Sequence, residues 1–370
     1  MQPAHTPSPA SQQSGGTSHP RPYYSMSQMR AFFSAGGCTY VYFLKYILGY
    51  KEKMSAIVFL GHVIHQFVQE LYHGVDPHQA HKHVWTKACG DAYDDLESWY
   101  ALDVAYHKSG NPNTKARQLW AEQHPGHAEL AAAIEAYRDD FLTEEYAWAK
   151  SASLTAYYRW ARALLEIPPE HFLLPRPILV EGQPLIDVDG AKVARFANGQ
   201  DDQQDHFHML HGTLSNGLPV AGVPDVFGVD GGGTAWVADY KVMSSSLMSE
   251  QDLAEDGQLA LYVELLRQNG HIAPGQKTRV GHIYLTERRG VQHVWSQPSA
   301  YALSRLARQL EHMDRRIKAN DFLPVRGIAT GSKLPCLSCG LASVCPSRSG
   351  ADLPFAARPP FIPFKEEYSE

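Results

Sequence analysis

Gly222-Val223-Pro224-Asp225-Val226-Phe227-Gly228-Val229, Asp230-Gly231-Gly232-Gly233-Thr234 and Ala235-Trp236-Val237-Ala238-Asp239-Tyr240-Lys241-Val242 follow one another in the chain, and their reading decides the fold. Two short apolar runs flank an Asp and three glycines, the pattern of a β-hairpin. The spacing predicts strands over Pro219 to Val229 and Trp236 to Met243, with Asp225 near the middle of the first. Strand side chains alternate faces, so Asp239 and Lys241 project from one side, and pairing through the turn lets Asp225 meet them there.

Two carboxylates at one spot repel and need a divalent cation; hard oxygen ligands suit Mg2+ or Mn2+. A lysine beside that cation can orient or activate a water and stabilise charge on a phosphorus-centred transition state. The combination points to phosphodiester hydrolysis.

Outward from the hairpin, Phe172 to Val180 and Val280 to Leu285 are predicted strands, all in one sheet, and Asn198 to His208 an exposed loop. Gly257 to Asn269 and Ala300 to Asn320 carry helical periodicity. Upstream, Ser25 to Tyr50 is expected as helix, break at Gly36 and Gly37, helix. Met54 to Leu71 is a strong helix with His65 and Gln69 on one face. Trp85 to Tyr100 and Leu130 to Leu165 continue as helix around a turn-rich segment at Gly110, Asn111 and Pro112. Helices, then strands, then helix, strand and helix imply an α/β core with a helical insertion at about 85–165. Residues 1–21, rich in Pro, Ser, Gln and Gly, are expected to be a disordered tail, 22–346 the domain, and 347–370 a C-terminal tail.

With 370 residues and 44% hydrophobic content, the chain can bury a large core. No apolar run reaches the ~20 residues of a membrane span and no secretion signal leads the chain, so a cytoplasmic protein is expected. The net charge of -6 excludes a protein that grips nucleic acid with its whole surface. Between Lys277 and Lys318, however, nine Lys or Arg (277, 279, 288, 289, 305, 308, 315, 316, 318) face three acids (287, 311, 314). That stretch reads equally as a phosphate track or a solvated helix face. No Gly-x-x-x-x-Gly-Lys-Ser/Thr phosphate loop is present, so any motor would come from another subunit.

Five cysteines are an odd number, which suits a ligand set better than a disulfide framework in an unexported chain. Cys336, Cys339 and Cys345 form Cys-x2-Cys-x5-Cys, and Cys38 lies far upstream. Four converging thiolates suit a 4Fe-4S cluster or zinc. Cys89 reads as a buried helix residue.

The chain resembles the RecB-type branch of the PD-(D/E)XK nucleases. The resemblance rests on Gly222-Val223-Pro224-Asp225, Asp239-Tyr240-Lys241, Gly257-Gln258 and Tyr262, with Gly61-His62-Val63-Ile64-His65 and Glu181 upstream. It implies a restriction-endonuclease-like mixed sheet flanked by helices. It further implies metal binding by His65, Asp225, Asp239 and the Tyr240 carbonyl, a catalytic Lys241, and support from Gln258 and Tyr262. Glu181 is either a carboxylate behind the ligands or a surface residue. The AddB-type nucleases and the CRISPR-associated adaptation nuclease are similar in carrying one cysteine before the helical region and three after the core. On that resemblance the four cysteines favour iron-sulfur over zinc and clasp the chain's ends.

The expected activity is DNA cleavage with Mg2+ or Mn2+, end-directed or on a single strand, in repair, recombination or processing, beside a separate helicase or integrase subunit. CRISPR spacer trimming and a non-catalytic DNA-binding scaffold subunit are the rival readings.

Overall fold

The computed structural model describes residues 23–33, 38–49, 54–90, 92–108, 122–137, 146–147, 154–185, 209–242, 247–286, 290–319, 321–322 and 341. The chain divides into two units, residues 53–311 and residues 1–52 with 312–370.

The first helix, α1 (Met26–Phe32), lies in the smaller unit; those of the larger unit are α2 (Ala56–Tyr72), α3 (Pro77–Cys89), α4 (Ala92–Lys108), α5 (Pro125–Tyr137) and α6 (Leu154–Ala163). There follow β1 (Pro177–Val180), β2 (Gln183–Pro184), β3 (Leu210–Thr213), β4 (Pro219–Gly222), β5 (Val226–Val229) and β6 (Ala235–Val242). Then come α7 (Glu250–Ala254), α8 (Gly257–Gln268), β7 (Thr278–Thr286), β8 (Gly290–Ser296) and α9 (Ala300–Lys318), whose residues from His312 on belong to the smaller unit. Six strands form the central sheet in the order β8-β7-β6-β5-β1-β2. Only β6 and β7 are parallel neighbours, and the other pairs are antiparallel. Parallel neighbours need a crossover, which α7 and α8 supply.

The hairpin forms as the alternation predicts, with Val226 opposite Ala238 and Val229 opposite Ala235. Asp230 closes its turn, one carboxylate oxygen accepting from the Gly232 and Thr234 amides, each at 2.9 Å. Position 228 admits only glycine, because a Cβ there would overlap the Trp236 ring and the Arg176 carbonyl oxygen. Ala235 to Tyr240 are all buried, as a strand covered on both faces must be. Trp236, Ala238 and Tyr240 point into the core that Leu60, Ile64, Phe67, Trp85, Leu96 and Tyr158 build from the helices. Asp239 faces the opposite way, toward α8.

Several boundaries differ from the sequence expectation. The run from Pro219 to Val229 is not one strand. It breaks at Val223-Pro224-Asp225, so β4 pairs with β3 in a separate two-stranded sheet while β5 joins the central one. Proline has no amide to donate to a ladder, and the freed Pro224 and Asp225 carbonyls accept instead from Gly182 N at 3.2 Å and Glu181 N at 2.8 Å. Asp225 therefore sits in the break just before β5, not mid-strand. Phe172 to Val180 is strand only from Pro177; Pro169–His171 is a 3-10 turn. The predicted helix across Trp85 to Tyr100 is two helices. Gly90, at φ 56, ends α3 because a left-handed backbone stops a helix. Leu130 to Leu165 likewise holds parts of two helices, α5 and α6. Strand β8 went unforeseen; its residues are half-buried on an edge and lack a clear alternation. The loop expected over Asn198 to His208 lies outside the described residues.

In the smaller unit, α1 (Met26–Phe32) begins with a capping box, Ser25 and Gln28 each bonding the other's backbone amide. Tyr24 donates to Asp314 Oδ1 at 2.7 Å, and Lys318 pairs with Asp314 Oδ2 at 2.8 Å. The Phe322 ring lies 6.1 Å from Tyr42 and 5.1 Å from Phe43. No described helix is long and apolar enough to cross a membrane.

Candidate metal and catalytic site

Continuing the β5-β6 register by one step sets Asp225 opposite Asp239. Asp225 Oδ2 accepts from the Tyr240 amide at 2.8 Å, so the carboxylate is tied to the strand that carries Asp239 and Lys241. His65, on α2, reaches the same place. Its Nδ1 lies 3.1 Å from Glu181 Oε1 and 3.6 Å from Asp225 Oδ2, and its Nε2 lies 3.2 Å from the Tyr240 carbonyl oxygen. Ligand atoms of His65, Glu181 and Asp225 all fall within 4.8 Å of one another.

Glu181 thus belongs to the cluster and is not a surface residue. It occupies the two-residue turn between β1 and β2, where Glu181 has φ 47 and Gly182 φ 71. Two successive positive φ values are the mark of a type I′ hairpin, which prefers Asn or Gly at the first position. A glutamate there costs about 1 kcal/mol, and its carboxylate is aimed at His65. Retaining it against that strain fits a functional carboxylate.

The electrostatics follow from the crowding of the carboxylates. Burial and repulsion from Asp239 push the Asp225 carboxyl well above its ordinary range, against the pull of His65 and Lys241. Burial alone would lower His65, but the carboxylates of Asp225, Glu181 and Asp239 outweigh it and raise the imidazole to about 10. The surrounding carboxylates thus favour positive charge at this spot.

Asp239 is held from both sides. Its Oδ1 accepts from Gln258 Nε2 at 2.8 Å, and its Oδ2 pairs with the Lys241 ammonium. The Gln258 amide also reaches Tyr262 Oη at 2.9 Å, so the two residues four apart on α8 share a face as expected. Asp256 caps α8, accepting from Leu259 N at 2.9 Å, which sets the depth at which Gln258 enters. Tyr262 lies close over β4: a Cβ at Gly222 would come within 2.9 Å of its ring. Asp239 is 3% exposed at the side chain and Lys241 31%, so the carboxylate is enclosed while the ammonium opens to solvent.

One positioning residue escaped the sequence reading. Tyr240 Oη donates to the Phe172 carbonyl at 2.6 Å, so it accepts from Tyr72 Oη at 2.8 Å, which in turn accepts from Leu174 N at 2.8 Å. This buried chain fixes the end of α2 to β6 and thereby the carbonyl that faces His65. The signal was present: Tyr72 is seven residues from His65, two turns along one helix face.

Of the cysteines, Cys89 is buried at the end of α3, with its thiol pushed up to about 12 by burial, as expected of a core residue. Cys38 is half-buried; Cys336, Cys339 and Cys345 lie outside the described residues. A depression of about 480 Å3 lined by Asp252, Glu255, Asp256, Gly257 and Arg305 opens at the start of α8. It contains none of the His65 cluster and contributes no ligand to it.

A mixed sheet whose central strand sets a carboxylate and a lysine beside a histidine-carboxylate cluster is the architecture of metal-dependent phosphodiesterases of the restriction-endonuclease-like fold. The chain belongs to the PD-(D/E)XK nuclease superfamily, whose family model matches residues 24–346. Members are nucleic-acid phosphodiesterases that use Mg2+ or Mn2+. Among solved structures, one from Eubacterium rectale described as a "Putative exonuclease" is similar over 90% of this chain and 99% of its own, at 13% identity and a TM-score of 0.40. No curated protein matches.

Proposed function

We propose that the chain is a DNA nuclease, acting from an end or on a single strand, that cleaves phosphodiester bonds with Mg2+ or Mn2+. The observation that carries the proposal is the convergence of His65, Glu181, Asp225 and the Tyr240 carbonyl beside the Asp239-Lys241 pair. One imidazole, carboxylates and a carbonyl are a donor set that fits such a cation. Glu181, Asp225, Asp239, His65 and the Tyr240 carbonyl are the groups that would hold it. When bound, the cation supplies Lewis acidity toward the phosphate and lowers the pKa of water.

The chain's own residues do the rest. Asp239 fixes Lys241, whose ammonium donates to the attacking water or to a non-bridging phosphate oxygen as negative charge builds there. Gln258 holds Asp239 in the rotamer that keeps Lys241 in place, and Tyr262 fixes Gln258. The water oxygen bonds to phosphorus and gives up a proton to solvent, the ester bond to the leaving oxygen breaks, and that oxygen takes up a proton from solvent water, so that one water is consumed per bond cut. Lys241→Met should lower cleavage of end-labelled DNA by about 100- to 1,000-fold, the effect of losing one preorganised donor, with an unchanged melting temperature. Wild-type protein that degrades neither single- nor double-stranded DNA with Mg2+ or Mn2+ would sink the proposal. A circular substrate separates end-directed from internal cleavage.

The proposal extends to a 4Fe-4S cluster on Cys38, Cys336, Cys339 and Cys345, supported by their spacing and by the resemblance stated above. Its test is visible charge-transfer absorbance in anaerobically purified protein. A colourless, zinc-containing sample would refute it.

A further inference from the structure

The basic stretch between Lys277 and Lys318 resolves into residues with different jobs. Arg279 covers the Trp295 ring, Arg316 pairs with Asp321 at 2.9 Å, and Lys318 pairs with Asp314. These cations are engaged within the fold. In the first half of α9 the pattern is different. Tyr301 is 53% exposed, the most open of the large apolar side chains among the described residues. The guanidinium carbons of Arg305 and Arg308 lie 5.9 and 5.7 Å from its ring centroid. The three residues stand at i, i+4 and i+7, one helix face. Arg305 is anchored, donating to the Glu255 carbonyl at 2.6 Å. Arg308 is exposed and pairs with no acid among the described residues, whereas Arg305 also reaches Glu255 Oε2 at 3.5 Å.

The place of this face matters as much as its chemistry. Leu306, buried on the other side of α9, packs at Gly257, where a Cβ would meet its Cδ1 at 3.5 Å. The next residue is Gln258, which bonds Asp239. The aromatic-arginine face therefore belongs to the helix that packs against the start of α8, the segment that carries Gln258. An exposed ring with guanidiniums over it matches an unpaired base stacking among ring and guanidinium planes with its phosphate on arginine. A duplex hides its base faces and gains only the charge term.

We infer that Tyr301, Arg305 and Arg308 form a stacking platform that holds a single-stranded segment of the DNA substrate beside the active site. The inference rests on the nuclease reading and is tested separately from it. Anisotropy of labelled (dT)20 would be measured on protein carrying Lys241→Met, to prevent cleavage, with and without Tyr301→Ala, Tyr301→Phe and Arg308→Gln. Tyr301→Ala should weaken binding about 10-fold or more, the range of one base stack. Tyr301→Phe should keep most of the affinity, and Arg308→Gln should lower the salt slope by about 0.7. A blunt duplex of equal length should barely respond to Tyr301→Ala.

With Lys241 intact, cleavage of bis(p-nitrophenyl) phosphate, too small to reach Tyr301, should be unchanged by Tyr301→Ala. No (dT)20 binding by the parent, equal binding with and without Tyr301→Ala, or equal losses on single strand and duplex would each overturn the platform. A platform lost on Tyr301→Ala with no cleavage of any phosphodiester by the Lys241-intact chain would instead overturn the nuclease reading.

Discussion

Replacing Gln258 by glutamate changes one atom in shape and inverts the electrostatics around Asp239. Gln258 Nε2 now donates to Asp239 Oδ1 at 2.8 Å inside a buried pocket. In Gln258→Glu, an oxygen stands where that donor was. Two ionised carboxylates at this separation repel by roughly 6 kcal/mol at an effective dielectric of about 20, enough for the pair to retain one proton at neutral pH. A protonated pair draws Lys241 less strongly and offers a cation a poorer ligand.

Cleavage at pH 7 should therefore fall at least about 100-fold, while the melting temperature stays near wild type because the proton relieves the repulsion. The proton is lost as pH rises, so the variant should recover activity toward pH 9, its rising limb displaced to higher pH than in the wild type. Single-turnover cleavage of end-labelled DNA from pH 6 to 9.5 with Mn2+ measures both. A variant that cleaves at the wild-type rate at pH 7, with the same pH dependence, refutes the role assigned to the Gln258-Asp239 contact.

Cation binding should displace a proton from His65, which its carboxylate neighbours raise to about 10; affinity for Mn2+ should then tighten from pH 6 to pH 9. Calorimetry in buffers of different ionisation enthalpy reads the released proton, and a buffer-independent heat would contradict it. In the metal-free protein the same raised pKa gives His65 a stabilising contribution that is complete below about 6.5 and lost as pH rises through about 10. Glu181→Gly relieves about 1 kcal/mol of strain, since glycine accepts φ 47, but removes a His65 partner, so metal-free stability should rise above wild type only near pH 10, where His65 no longer carries its charge, while Mn2+ binding weakens at every pH; urea denaturation across pH and metal titration check both. Tyr72→Phe removes the acceptor for Leu174 N and the donor to Tyr240 Oη, and should cost about 1–3 kcal/mol in urea denaturation. No loss would mean the chain of hydroxyls is not holding α2 to β6.

Much of the chemistry was legible along the chain because it is local. Asp239 and Lys241 share a face by strand alternation, Gln258 and Tyr262 by helical spacing, and Asp230 with its glycines can close only a tight turn. These relations depend on backbone periodicity within a few residues. Placing Glu181 required the folded structure. Its role depends on a two-residue turn with positive φ and on hydrogen bonds to the carbonyls that Pro224 leaves free, a meeting of segments more than forty residues apart. The break at Pro224 was equally hidden: the residues on both sides are good strand formers, and only the competing partner of each half sends β4 and β5 into different sheets. His65 shows the division most clearly. Helical spacing puts it on the face it shares with Gln69, but the enclosing carboxylates come from three other segments, and only tertiary packing brings their charges together.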